Sequence, residues 1–312
     1  MKCLRTLSGS DVSKLSFGTM QFGHGSDYQT SAKIYEKCRV SGINHFDTAF
    51  IYNGGVSEEF LGKLIAKERQ DIFIATKVGY VGGAGHENLD KQLDVCRQRL
   101  KLDNIDLLYL HRFDPDVDMH RTLDWFQEQK DKGRISHIGV SNFSAWQIAL
   151  AEAYLRTNDD TLSAVQPMYS LVKRQAEVEI FPACKALEIA CFSYSPLGAG
   201  LLTGKYVHRS RASGRLVDDP RYARRYSLEQ MHKTSAELMK ISEKFGIPSA
   251  TLAVAWIING SFKTSPIISG RSVEQIIPSL NAVNVDWGLD LQQAIDKITQ
   301  PPPPATDRLE EI

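Results

Sequence analysis

Eight short apolar runs rich in β-branched residues recur along the chain, starting near Leu15, Ile43, Ile72, Ile105, Ile135, Leu162, Ile189 and Pro266. Their starts lie 28, 29, 33, 30, 27, 27 and 77 residues apart. Runs of this length read as buried strands, and nearly every gap holds apolar residues at helical spacing. Helical stretches are expected at Thr30 to Val40, Ser57 to Lys67, Leu89 to Leu100, Met119 to Lys132, Ala145 to Leu155 and Glu177 to Leu187, with Ser57 and Ser144 as helix caps. Parallel strands need a crossover of at least about a dozen residues, so this alternation predicts a parallel βα repeat. Eight units match a single (β/α)8 TIM barrel, whereas an open doubly wound sheet more often stops at about five to seven strands. The 312 residues would also suffice for two domains of about 150. The unbroken repeat favours one domain over 1–312.

The long seventh interval is expected to hold a Lys/Arg/Ser-rich lid loop over 204–226, then helices at Leu228 to Phe245 and Ser249 to Asn259. Prolines at 301–304 predict an extended tail from about residue 299.

Thirty-seven basic residues balance 37 acidic ones. No basic surface able to compete for a polyanion follows, which argues against nucleic acid or an anionic membrane as partner. No stretch approaches the roughly 18 apolar residues of a membrane span, and Met1 to Ser10 has no apolar core segment. A cytoplasmic protein is expected. Its five cysteines, Cys3, Cys38, Cys96, Cys184 and Cys191, include no C-x-x-C pair. They read as free thiols in a reducing compartment, with no metal site.

Barrel enzymes carry their chemistry at the C-terminal ends of the strands. The eight runs end in Gly18-Thr19, Asp47, Lys77, His111, Ser141-Asn142, Gln166, Tyr194-Ser195 and Ser269-Gly270-Arg271. Taken singly, Asp47 reads as a helix cap, Lys77 as a surface lysine and His111 as a hydrogen-bonded core imidazole. Eight such ends in a row place ionizable or amide groups on one face of one barrel.

The segments FGTMQFG (17–23), GINHFDTAFIYNGGVSEEFLGKLI (42–65), IATKVG (74–79), DLLYLHRFDP (106–115), GRISHIGVSNFS (133–144), VQPMYSL (165–171), YSPLGAGLLTGKY (194–206) and ISGRSVEQI (268–276) resemble, in order and spacing, the aldo-keto reductase superfamily. The resemblance covers about residues 4–283. It implies a (β/α)8 barrel that binds a nicotinamide cofactor in extended form, in keeping with the absence of G-x-G-x-x-G. GAGLLTGKY is not a phosphate loop, because Ala199 stands at its first required glycine and Tyr206 at its Ser/Thr.

By that resemblance Asp47, Tyr52, Lys77 and His111 form the catalytic set for NAD(P)H-dependent reduction of an aldehyde or ketone by hydride transfer, or for oxidation of a sugar or polyol in reverse. Tyr52 is the implied general acid/base. A phenol with pKa near 10 donates poorly at neutrality, and an ammonium within about 4 to 6 Å lowers it. Lys77 is implied as that charge, Asp47 as its partner, and His111 as the group that places the carbonyl oxygen.

The resemblance also assigns Ser141, Asn142 and Gln166 to the nicotinamide carboxamide, Tyr194 to its ring, and Gly18, Thr19, Met20 and Asp47 to the adjoining ribose. Ser195, Leu197, Gly198 and Leu201 would follow the pyrophosphate, and Ser269, Gly270, Arg271, Gln275 and Ser279 the adenosine end. Arg271 suits a 2′-phosphate, favouring NADPH over NADH, although Ser279 departs from the asparagine often found at its position. Phe22, Phe50, Tyr80, Arg112 and Phe143 are expected at the substrate mouth. The alternative is a cofactor-binding regulatory subunit resembling potassium-channel β subunits.

Overall fold

The computed structural model describes residues 4–207, 213–308 and 310. Among them, eight parallel strands close into a barrel in sequence order: β1 (Ser16–Gly18), β2 (His45–Asp47), β3 (Phe73–Val78), β4 (Ile105–Leu110), β5 (Ile135–Ser141), β6 (Ala164–Gln166), β7 (Ala190–Tyr194) and β8 (Ser265–Ile268). The barrel is a single (β/α)8 TIM barrel. Around it run α1 (Tyr28–Val40), α2 (Val56–Ile65), α3 (His86–Leu100), α4 (Met119–Asp131), α5 (Ala145–Thr157) and α6 (Ile180–Ala186). Between β7 and β8 lie α7 (Arg215–Asp218), α8 (Pro220–Arg225), α9 (Glu229–Phe245) and α10 (Ser249–Asn259), and after β8 come α11 (Val273–Leu280) and α12 (Leu289–Asp296).

Successive strand residues face opposite sides, and here the two sides carry different chemistry. Phe17, Phe46, Ile74, Leu108, Ile138 and Val165 pack outward with Ile34, Leu61, Leu93, Phe126 and Ile148 of the helices. Each such side chain, fully buried, stabilises by about 1.5 to 3 kcal/mol. The alternate positions point inward and form a second cluster with Phe73, Ala75, Leu107, Tyr109, Ala164, Phe192 and Ile267, joined by Leu4 from the N-terminal turn. Gly139 makes room for the large member of this inner set, since a Cβ there would meet the Tyr109 ring at 2.6 Å.

Local chemistry sets the helix ends. Asp27 caps α1 by accepting from Thr30 N at 2.8 Å, and Gln147 Oε1 accepts from the N–H of Ser144, the residue at the head of α5. Ser57 is not a cap. Helix α2 begins one residue earlier, at Val56 behind left-handed Gly55, and the Ser57 hydroxyl is buried against Thr19 and Thr48.

Of the expected lid at 204–226, residues 208–212 lie outside the described residues. The remainder is more ordered than a loop: Asp219 Oδ1 accepts from Arg221 N at 2.9 Å and Pro220 occupies the first turn of α8. The proline tail leaves the barrel at Thr299, whose hydroxyl donates to Leu171 O and whose carbonyl accepts from Arg174. Among the described residues no single helix is long and apolar enough to cross a membrane, and no cluster of His, Cys, Asp or Glu suits a metal ion.

Candidate active site

The inward positions at the ends of the strands bring the polar residues together. Gly18, Asp47 and Ala75 are register neighbours, as are Lys77 with Tyr109 and Ser141 with Gln166. Beyond β2 the chain continues the ladder, Thr48 N donating to Ala75 O and Phe50 N to Lys77 O. It then turns at Tyr52–Gly55, where Asn53 adopts φ 52° and its amide donates to Met20 O and Phe22 O.

Lys77, 1 % exposed, donates to Asp47 Oδ1 and to Thr48 O, the latter at 2.7 Å. The second carboxylate oxygen of Asp47 accepts from Gln166 Nε2 at 2.8 Å. Lys77 Nζ stands 5.1 Å from the centroid of the half-buried Tyr52 ring, and the His111 ring lies edge-on to Tyr52 at 6.2 Å. The four residues therefore form one contiguous group.

Burial works against the Lys77 ammonium, but Asp47 and Tyr52 facing it outweigh that cost and hold it above the ordinary lysine range. Burial likewise pushes the Tyr52 phenol above its usual value, while the Lys77 charge pulls it down. In the protein alone burial prevails. His111 is driven down to about 3, by burial first and then by Lys77 and Arg112, so its imidazole is neutral at physiological pH. Its Nδ1 is buried without a partner.

Around this group, Ser141 Oγ donates to Gln166 O at 3.0 Å, and the Asn142 amide donates to His111 O at 2.9 Å and to Ser141 Oγ at 3.1 Å. Asn142 is left-handed (φ 59°), and its Oδ1 accepts from the Tyr194 hydroxyl at 2.6 Å. Thr19 donates to Asp47 O, and Ser269 donates to Gly18 O. Met20 lies at the surface. After β7, Ser195, Gly198, Ala199 and Gly200 all have positive φ. In this small-residue, left-handed turn Gly198 is buried, Leu197 half-buried and Leu201 in the core.

Arg271 Nε donates to Gln21 Oε1 at 3.0 Å, and Gln275 Oε1 accepts from Arg271 N. Gly25 makes this possible, since a Cβ there would meet Arg271 Cγ at 2.7 Å. Gly270 packs similarly against Ile276, and Ser279 is buried with an unpartnered hydroxyl. Of the expected mouth residues, Tyr80 lies tilted against His111 (4.9 Å) under the Arg112 guanidinium (4.9 Å). Phe22 and Phe143 do not line the mouth: Phe22 packs on Phe17 and Phe143 on Phe113 in the core. Phe50 is covered by Arg99.

Gln21, Tyr109, Arg99 and Glu58 are neighbours of the site that strand-end reasoning passes over. Tyr109 had a signal, because it lies on the inward face of β4 two residues before His111, which follows that strand.

The aldo/keto reductase family model matches residues 14–299. The chain is 30% identical over 311 residues to the uncharacterized oxidoreductase YrpG of Bacillus subtilis, covering 93% of each chain. It is 31% identical over 298 residues to a probable voltage-gated potassium channel subunit beta of Arabidopsis thaliana, covering 89% of each. It is 26% identical over 296 residues to L-glyceraldehyde 3-phosphate reductase of Escherichia coli, covering 89% of this chain and 86% of that one. The barrel and its polar mouth define an oxidoreductase of the (β/α)8 class. The chain belongs to the aldo/keto reductase family.

Proposed function

We propose that the chain uses NADPH to reduce aldehydes or ketones to alcohols, or oxidises a sugar or polyol in reverse, with Tyr52 as general acid/base. The observation that carries this reading is the buried Lys77–Asp47 ion pair set beside the Tyr52 ring and a neutral His111. A carbonyl being reduced develops negative charge on oxygen, so a proton donor and a positive field must face it. Tyr52 donates the proton from its hydroxyl, and Lys77 stabilises the phenolate left behind. Asp47 keeps Lys77 charged and aimed, while neutral His111 orients the carbonyl oxygen without competing as the acid. When bound, the nicotinamide supplies the reducing hydride.

The residues fit that cofactor on three observations. The Ser279 hydroxyl is buried without a partner, Arg271 has no carboxylate partner among the described residues, and the turn after Ser195 is left-handed and small. In this reading Ser141, Asn142 and the Oε1 of Gln166 hold the carboxamide, Tyr194 stacks on the ring, and Gly18, Thr19, Met20 and Asp47 border its ribose. Ser195, Leu197, Gly198 and Leu201 follow the pyrophosphate. Ser269, Gly270, Arg271, Gln275 and Ser279 take the adenosine end, with Arg271 on the 2′-phosphate. A small-molecule substrate and a cytoplasmic location go with this assignment.

The similarity to a potassium channel β subunit favours a second reading, a cofactor-loaded regulatory subunit. A substrate screen that follows cofactor absorbance in both directions decides between them. Oxidation of NADPH by at least one carbonyl compound is the expected outcome. Stoichiometric binding without turnover, with a co-purifying membrane partner, supports the second reading, and absence of nicotinamide binding contradicts both.

A further inference from the structure

Arg99 leaves the last turn of α3, on the outside of the barrel, and reaches back to the turn that carries Tyr52. Its Nη1 donates to Phe50 O at 3.0 Å and to Glu58 Oε2 at 3.2 Å, and its Nη2 donates to Gly54 O at 3.2 Å. The two carbonyls stand on either side of Tyr52 in sequence, so one planar fork spans the turn. The guanidinium also lies 4.9 Å over the Phe50 ring.

The surroundings are built to admit it. Left-handed Gly55 (φ 101°) leaves room for the guanidinium, since a Cβ there would come within 2.1 Å of Arg99 Cζ and displace it. At Gly62 a Cβ would meet Arg99 O at 2.8 Å and Leu100 O at 2.6 Å, so α2 and α3 touch backbone to backbone where Arg99 departs. Glu58 is fully buried, and its other oxygen accepts from Thr76 Oγ1 at 2.6 Å, in the residue before Lys77. A buried ion pair contributes little net stability by itself, because desolvation offsets the attraction. Its acceptors here are instead the main chain flanking Tyr52 and, through Glu58, the strand that carries Lys77.

We infer that Arg99 is a positioning residue for the reaction: backed by Glu58, its guanidinium fixes the 50–54 turn so that Tyr52 stays beside Lys77. This rests on the reading of Tyr52 as the proton donor. A basic residue in the last turn also favours the helix dipole, but that role needs none of these contacts.

The test compares Arg99→Met and Arg99→Lys, each alone and combined with Tyr52→Phe, in NADPH-driven reduction of 4-nitrobenzaldehyde. Thermal melting and NADPH titration are run on the same samples. A displacement of about 1 Å at a reacting group costs on the order of 10²-fold, so kcat of Arg99→Met should fall roughly 10- to 100-fold. The KM for aldehyde and the Kd for NADPH should stay within about threefold. Arg99→Lys keeps the charge but cannot span both carbonyls, so it should also lose kcat, to an intermediate level. In the Tyr52→Phe background Arg99→Met should add less than about twofold, because the group it positions is gone.

A folded variant with kcat within about twofold of wild type overturns the inference, as does an equal loss in both backgrounds. If neither variant folds, Arg99 serves the fold and the inference is also overturned. Full turnover by Tyr52→Phe removes the reading of Tyr52 and the inference with it, whereas collapse of Tyr52→Phe beside fully active Arg99 variants removes the inference alone.

Discussion

Lys77 Nζ stands 5.1 Å from the Tyr52 ring centroid while its ammonium is held by the carboxylate of Asp47. The same charge thus contacts both an acid and a phenol, with Lys77 and Asp47 buried and Tyr52 half-buried. Lys77→Met removes the charge that pulls the Tyr52 phenol downward against burial. Reduction should slow and the pH profile of kcat/KM should move to higher pH. The substitution also leaves Asp47 buried with Gln166 as its remaining side-chain donor, a loss of about 3 to 5 kcal/mol in stability. An unchanged pH profile in a folded variant would show that Lys77 does not tune the donor.

His45 and His111 are both pushed down to about 3 from an ordinary value of 6.5, chiefly by burial. The unfolded chain therefore binds their protons more tightly than the folded one. Their contribution to stability is complete above about pH 6.5 and declines as pH falls toward 3, by about 2 kcal/mol for each at pH 5. Melting temperature against pH should decline through this window. His45→Gln should flatten it, because His45 lies wholly inside the barrel with Nε2 unpartnered. The same steepness in that variant would assign acid sensitivity to other groups.

Arg271 carries a prediction about cofactor choice. Charge-assisted bonds from a guanidinium to the 2′-phosphate contribute roughly 1.5 to 3 kcal/mol, or about one to two decades of affinity. Titration of wild type and Arg271→Ala by quenching of protein fluorescence should show weaker NADPH binding and nearly unchanged NADH binding. Equal losses for both cofactors, or none, would remove the phosphate assignment.

How far the fold is legible in the sequence depends on the range of the interactions. Seven runs of β-branched residues spaced 27 to 33 residues apart, with an eighth after 77, are a local signal, and the closed barrel follows because each run has an inward and an outward face. Asp47, Lys77, His111 and Gln166 are legible for the same reason, since each stands at or just beyond the C-terminal end of a strand. Ser57 misleads, because a serine ahead of a helical run looks like a cap while left-handed Gly55 already starts the helix. Arg99 is invisible locally, as its side-chain contacts lie more than forty residues away in the chain. Phe22 and Phe143 look like mouth aromatics by position, but their rings turn toward Phe17 and Phe113. The helices within 213–226 hide in an arginine-rich composition until Asp219 and Pro220 are seen to start one of them.

The central claim is that Tyr52 gives the proton. Tyr52→Phe removes one hydroxyl and keeps the ring beside Lys77 and His111. The decisive measurement is kcat for carbonyl reduction by this variant, with NADPH affinity taken on the same preparation. Loss of a positioned acid costs about 10² to 10⁴ in rate, so turnover should collapse by that factor while the cofactor Kd holds. Turnover within a few-fold of wild type would contradict the account.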